Sequence, residues 1–98
     1  MKILALEREL PEATAEKFGP LLKDEARRAW ELTQAGVLRE AYFHAEHHTA
    51  VLVLECAGAG EARRLLDSLP LAQAGLITFD ILPLIPYDGF ARLFEEQG

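Results

Sequence analysis

Three polar side chains stand within otherwise apolar stretches of this sequence and could carry acid–base chemistry. Asp80 lies between Phe79 and Ile81, and Tyr42 and His44 lie two residues apart in an aromatic stretch. Proton transfer at carbon needs a carboxylate or an imidazole beside an apolar pocket, with its pKa moved towards neutrality. We therefore predict that Asp80, Tyr42 and His44 are catalytic. The alternative is that each is a solvated group at a strand edge or strand end.

Three further side chains are candidates for binding a substrate. Glu7 ends the first apolar stretch of the chain, and Glu40 shares one side of its stretch with Tyr42. Trp30 offers a large aromatic surface that could form a pocket wall, although packing in the core is the simpler expectation. We predict that Glu7, Glu40 and Trp30 contact the substrate.

Glu25 is an unusual carboxylate because it falls at the border of an apolar helical stripe. Pairing with Arg28, or with an arginine of a partner chain, is the simplest explanation for it. The histidine-rich stretch of residues 44–48 invites a metal interpretation. Adjacent histidines on a turn rarely point at one ion, however, and no carboxylates have zinc-site spacing with them. We predict no metal and no cofactor.

Length and charge restrict the class of protein. The 98 residues are enough for one domain, which we assign to residues 1–98, and the formal net charge is −6. Such a surface repels nucleic acid, and the arginine pairs at 27–28 and 63–64 are flanked by acids. No apolar run approaches the roughly 18 residues of a membrane span, and no signal peptide is evident. We expect a cytoplasmic protein that binds neither nucleic acid nor membrane.

The elements that must position these residues follow from hydrophobic periodicity and chain breakers. Apolar periodicity predicts a long first helix, which Pro20 either starts or kinks, and a short second helix stopped by Pro70. Gly36 should cap the first helix. The predicted strands are Lys2–Glu9, Val37–Ala45, Thr49–Ala57 and Ile77–Leu84; the predicted helices are Thr14–Ala35 and Glu61–Leu69, followed by one or two helical turns within Asp88–Phe94.

The resulting order βαββαβ predicts an α+β, ferredoxin-like fold with an antiparallel four-stranded sheet and two helices on one face. A weak internal repeat agrees with two similar halves, because Gln34-Ala35-Gly36 recurs as Gln73-Ala74-Gly75. The third strand is apolar on both sides, which predicts a central position in the sheet. Two helices leave the second sheet face bare, so we expect a homodimer that buries it, with residues 87–94 packing across the subunits.

The last third of the sequence carries a recognisable pattern. Ser68-Leu69-Pro70-Leu71 is followed by Phe79-Asp80-Ile81 and then by Leu82-Pro83-Leu84. This pattern resembles the muconolactone isomerase family, and the layout of the whole chain agrees with it. The resemblance implies a dimeric α/β barrel of ferredoxin-like subunits, possible higher oligomers, and lactone isomerisation without a metal or organic cofactor. After the last strand this chain reads Ile85-Pro86-Tyr87-Asp88-Gly89, where the enzymes are basic and carry histidine.

Two classes of function follow from these observations. One is a cofactor-free isomerase or lyase that acts by proton transfer on a small lactone or carboxylate. The other is a non-catalytic module of the same fold with a small-molecule binding or regulatory role. A cavity ringed by Asp80, Tyr42 and His44 would favour the enzyme, whereas a lumen filled by leucine and valine would favour the module.

Overall fold

The computed structural model describes residues 1–95, which form a four-stranded sheet with helical segments packed on it. The strands are β1 (Lys2–Glu9), β2 (Leu38–Phe43), β3 (Ala50–Glu55) and β4 (Ile77–Leu84). The helices are α1 (Ala15–Phe18), α2 (Leu22–Gln34), α3 (Ala59–Leu66) and α4 (Pro70–Gln73). Short 3-10 segments span Gly19–Leu21 and Gly89–Phe94. The predicted βαββαβ order is confirmed, with each helical half divided near a proline.

The sheet has the strand order β2-β3-β1-β4, and every neighbouring pair is antiparallel. β3 lies in the interior of the sheet, as predicted, and β4 lies at an edge. The edge position suits Pro83 because proline has no N–H to donate to a further strand. The molecule is therefore the α+β, ferredoxin-like fold that the sequence predicted.

Period-two alternation along the strands gives the sheet two different faces. Ile3 and Ala5 of β1 and Leu54 of β3 are buried beneath the helices, together with Phe79 of β4. The residues between them point to the opposite side, which no helix within residues 1–95 covers. We call this side the helix-free face; its apolar members are Leu4, Leu6, Val51, Val53, Leu82 and Leu84.

The first helical half is not one continuous helix. Thr14 caps α1, because its Oγ1 accepts a hydrogen bond of 3.1 Å from the Lys17 backbone N–H. Pro20 then lies in the 3-10 segment, and α2 begins at Leu22. A proline removes one backbone donor and crowds the preceding turn, so the chain tightens here before the regular helix begins.

The two helical halves end in the same local structure. Gly36 and Gly75 have φ of +79° and +74°, and each follows an alanine at the end of its helix. The next residue returns a hydrogen bond of 3.0 Å to the helix, from Val37 N to Leu32 O and from Leu76 N to Leu71 O. This is the Schellman arrangement, in which glycine supplies the left-handed residue. The internal repeat seen in the sequence thus corresponds to two equivalent helix ends.

Two sequence predictions about the helices were wrong. Pro70 does not stop a helix at Leu69, because α3 already ends at Leu66 and Pro70 is the first residue of α4. That position suits proline, whose missing N–H would have no partner in the first turn. Trp30 does not pack in the core. Its exposed fraction is 61%, since α2 turns Leu32 and Ala29 towards the sheet instead.

The C-terminal segment projects from the body of the molecule. Tyr87, Phe90, Leu93 and Phe94 are all exposed, although the Tyr87 and Phe90 rings pack edge to face at 4.7 Å. The Cα radius of gyration is 16.7 Å, whereas a compact domain of this length would have about 13 Å. No helix within residues 1–95 is long and apolar enough to cross a membrane.

Replacing the glycine at either helix end should destabilise the fold. Gly36→Ala and Gly75→Ala would each force a Cβ into a left-handed conformation, at a cost of about 1–2 kcal/mol. Thermal unfolding should show a fall in Tm of several degrees for each. Gly60→Ala is the matched control, because Gly60 lies inside α3 with open space at its Cβ position. That control should leave Tm unchanged or raise it; equal losses for all three variants would refute the assignment.

The exposed apolar surfaces predict association. We expect a homodimer in which the helix-free face is buried and residues 87–94 pack across the subunits, because those side chains are exposed within one chain. Sedimentation at micromolar concentration should show a dimer. Truncation after Tyr87 and, separately, Leu4→Asp should each shift the protein towards monomer, while Glu16→Gln on α1 should not. A stable monomer of the unaltered chain would contradict this expectation.

Candidate functional site

A cavity of about 590 Å³ lies between the helices and the covered face of the sheet. Its volume falls within the range of roughly 300–1,000 Å³ that is usual for small-molecule sites. The walls are mostly hydrocarbon from the sheet, from α2 and from the region of α4; they include Phe18, Ala29, Leu32, Leu52, Leu71 and Phe79. The β2–β3 turn contributes His47 and His48, both exposed, and we call this solvent-facing part of the lining the mouth.

Glu7 places a carboxyl group on the sheet side of this cavity. It follows Ile3 and Ala5 on the helix-covered face of β1, and it is half-buried. Its Oε1 accepts a hydrogen bond of 3.2 Å from the Ala50 backbone N–H. Desolvation raises the pKa of the Glu7 carboxyl above its usual 4.5, while the Ala50 hydrogen bond partly offsets that rise.

Glu25 places a second carboxyl group on the helix side. It is half-buried on α2, and its Oε1 accepts a hydrogen bond of 2.9 Å from the Leu71 backbone N–H at the start of α4. Burial is the main cause that raises the pKa of the Glu25 carboxyl, and the negative charge of Glu7 raises it further. A negative charge on Glu7 therefore favours the protonated form of Glu25.

The β2–β3 turn forms the mouth of the cavity. His48 has φ of +55°, and its ring stacks on Phe43 with the centroids 4.0 Å apart. The His48 charge acts on Glu7 in the direction that favours the carboxylate. His44 caps its own turn, since its Nδ1 accepts hydrogen bonds of 3.1 Å from the backbone N–H groups of Glu46 and His47.

Asp80 lies on the other side of the sheet from this cavity. Its neighbour Phe79 is buried under the helices, so the Asp80 carboxylate points to the helix-free face. There its Oδ1 accepts a hydrogen bond of 2.9 Å from Arg8 Nε, and both side chains are largely exposed. Asp80 is not among the residues that line this cavity.

Tyr42 and Glu40 lie together on β2, at the opposite edge of the sheet from Asp80. The Tyr42 hydroxyl donates a hydrogen bond of 2.7 Å to Glu40 Oε1, which raises the pKa of the Tyr42 phenol. Tyr42 also contributes to the rim of the cavity. The structure therefore does not bring Asp80, Tyr42 and His44 together in one chain, and their catalytic role stays a prediction.

Of the predicted substrate-binding residues, the structure places Glu7 in the cavity and Glu40 and Trp30 outside its lining. Trp30 lies on the outer surface of α2, where it forms no wall of the cavity. Sequence reasoning expected Glu25 to pair with Arg28, but Arg28 donates to Ser68 Oγ and contacts Glu31 instead. The available signal was the position of Glu25 beside the apolar stripe, which indicates a half-buried carboxyl.

The charges around the cavity limit what it can hold. Its acidic lining residues are Glu7, Glu9 and Glu25, and within residues 1–95 no lysine or arginine lines it. The described part of the chain also contains no group of three histidine, cysteine, aspartate or glutamate side chains suited to hold a metal ion. The arrangement offers two carboxyl groups with raised pKa in an apolar space, and such groups are suited to act as base and acid when a proton is moved on a small organic molecule.

Two solved structures share this fold over most of their length. A crystal structure of muconolactone isomerase aligns with a TM-score of 0.73 and 21% identity, covering 90% of this chain and 92% of that chain. The 5-chloro-2-hydroxyhydroquinone dehydrochlorinase TftG from Burkholderia phenoliruptrix AC1100, in complex with 2,5-dihydroxybenzoquinone, aligns with a TM-score of 0.70 and 12% identity. That alignment covers 91% of this chain and 98% of that chain.

No curated protein sequence matches this chain. The muconolactone delta-isomerase family, in contrast, matches residues 4–89, which include β1 from Leu4 onwards, the other three strands and the helices between them. The match also contains both cavity carboxyls and the turn at the mouth. The chain belongs to the muconolactone delta-isomerase family.

Proposed function

We propose that this protein is a cofactor-free isomerase or lyase that moves a proton on a small cyclic substrate held between α2 and the sheet. The observation that carries the proposal is the pair of half-buried carboxyls, Glu7 and Glu25, both with raised pKa in one apolar cavity. Groups poised in this way are typical of acid–base catalysis, because each can exist in the form that its task requires.

In this mechanism the two carboxyls have different catalytic roles because their environments differ. The Glu7 carboxylate removes a proton from a carbon next to the substrate carbonyl, and the C–H electron pair moves into an enolate. The protonated Glu25 donates a hydrogen bond to the enolate oxygen, which disperses its charge. Return of a proton to a different carbon of the conjugated system completes an isomerisation, and loss of a leaving group instead completes an elimination. Neither route needs an oxidant or a reductant.

The backbone hydrogen bonds keep one edge of each carboxyl occupied. Ala50 N–H binds Oε1 of Glu7 and Leu71 N–H binds Oε1 of Glu25. Within residues 1–95 neither Oε2 has a hydrogen-bond partner, so Oε2 is the oxygen available to a substrate. The anchored geometry fixes the proton acceptor without the entropy loss of ordering a free side chain.

The family and its relatives support the reaction class. One relative of the same fold is an isomerase, and another is a dehydrochlorinase that was solved with a small dihydroxyquinone. Both reactions begin from a small ring compound. The cavity of about 590 Å³ is large enough for such a ring together with apolar substituents.

Exchange of substrate protons with solvent tests the proposal directly. Muconolactone, its primary amide and an unsubstituted butenolide would each be incubated with the protein in D₂O, and deuterium entry at the ring carbons followed by NMR. We expect exchange of at least one lactone, with Glu7→Gln slowing it by about 100-fold or more and Glu25→Gln by a smaller factor. Glutamine can still accept the backbone hydrogen bond, so both variants should fold.

The matched control for this experiment is Glu16→Gln, which removes a carboxylate from exposed α1, outside the cavity. It should exchange substrate at the rate of the unaltered protein. If the lactones bind without any Glu7-dependent exchange, the chain is a binding module and the enzymatic proposal is wrong.

The raised pKa values also predict how stability depends on pH. A carboxyl whose pKa is higher in the folded chain binds more protons there than in the unfolded chain, so stability is lost as pH rises from 4.5 through the folded pKa. Replacing both Glu7 and Glu25 by glutamine should remove this loss. We expect the double variant to be more stable at pH 7, by less than about 1 kcal/mol because both groups are partly exposed. Urea unfolding at pH 4.5 and pH 7 measures the difference, and a double variant that is less stable at pH 7 would contradict it.

A further inference from the structure

The cavity concentrates negative charge and contains no strong cation. Glu7 and Glu9 on β1 and Glu25 on α2 line it, and the imidazoles of His47 and His48 lie at its mouth. Within residues 1–95 none of the lining residues is lysine or arginine. A carboxylate ligand in an apolar site usually meets an arginine or lysine, since an unpaired buried charge is expensive.

Four basic side chains are engaged in contacts away from this cavity. Arg8 binds Asp80 on the helix-free face, and Arg28 binds Ser68 and Glu31. Lys17 pairs with Glu12, and Arg39 donates to the Gly36 carbonyl. Because of these contacts, these four basic groups do not neutralise a charge inside the cavity.

We propose that the pocket between α2 and the sheet selects uncharged ring carbonyl compounds, such as neutral lactones, and rejects the corresponding carboxylates. A second negative charge beside Glu7 and Glu25 is repelled in a space that is largely walled by hydrocarbon. An uncharged carbonyl oxygen, in contrast, is a suitable acceptor for a carboxylic acid. The inference rests on the proposed function only for the location of the site.

The residues that line the pocket suit such a ligand. A large part of its wall is apolar, with Phe18, Leu32, Leu52 and Phe79 among its members. Such a wall binds a ligand through contact with its ring carbons and hydrocarbon substituents rather than through ion pairs. The polar groups that remain, the two carboxyls, supply one proton donor and one acceptor, which fix the orientation of the carbonyl and the adjacent C–H group.

A matched pair of ligands tests this selectivity by binding alone. Muconolactone carries a carboxylate, and its primary amide has nearly the same shape without the charge. Titrations of ¹⁵N-labelled protein at pH 7 would use the amide signals of Ala50 and Leu71, which lie on the two carboxyls. We expect the amide to bind at least about tenfold more tightly than the carboxylate, which corresponds to about 1.4 kcal/mol.

The preference should depend on the cavity carboxyls. In the Glu7→Gln, Glu25→Gln double variant the ratio of the two dissociation constants should fall towards one, whereas Glu16→Gln should leave it unchanged. Equal or tighter binding of the carboxylate by the unaltered protein would overturn the inference, and so would the absence of binding by either ligand. A clear preference for the amide without deuterium exchange would count against the proposed catalysis while supporting the selectivity.

Discussion

The alternation of β1 side chains between the two faces of the sheet controls the chemistry of this molecule. Ile3 and Ala5 lie under the helices with no exposure, and the same period of two brings Glu7 to that face one step further along the strand. A carboxyl thus lies where the strand otherwise presents hydrocarbon. It is tolerated there because the helices do not close completely over this end of the sheet and because Ala50 N–H binds one of its oxygens. The desolvation that remains is what raises its pKa.

The covering helices complete this arrangement from the other side. α4 begins at Pro70, and the Leu71 N–H in its first turn is one of the donors that a helix start leaves without an internal partner. Glu25 of α2 accepts from that donor, so one contact joins the two helical halves and positions the second carboxyl. The Schellman ends at Gly36 and Gly75 return the chain to the sheet and place α2 and α4 beside each other.

The fold was predictable because its signals are local or periodic. The strand Ile77–Leu84 was predicted with its observed bounds, and Gly36 ends its helix as expected. The site was less predictable because it depends on tertiary packing. Asp80 was favoured as an acid within an apolar strand, yet such a residue can equally face the helix-free side. A β-bulge between Leu38 and Glu40 also changes which side chains of β2 face the helices. No sequence pattern marks this bulge, so the change was not predicted.

The central claim is that Glu7 and Glu25 form a coupled acid–base pair within one cavity. Carbon-13 NMR titration of their carboxyl carbons tests it most directly. The account predicts that both titrate above 4.5 and that Glu7→Gln lowers the pKa of Glu25. Titration of both groups at or below 4.5, or a Glu25 pKa that does not respond to Glu7→Gln, would contradict it.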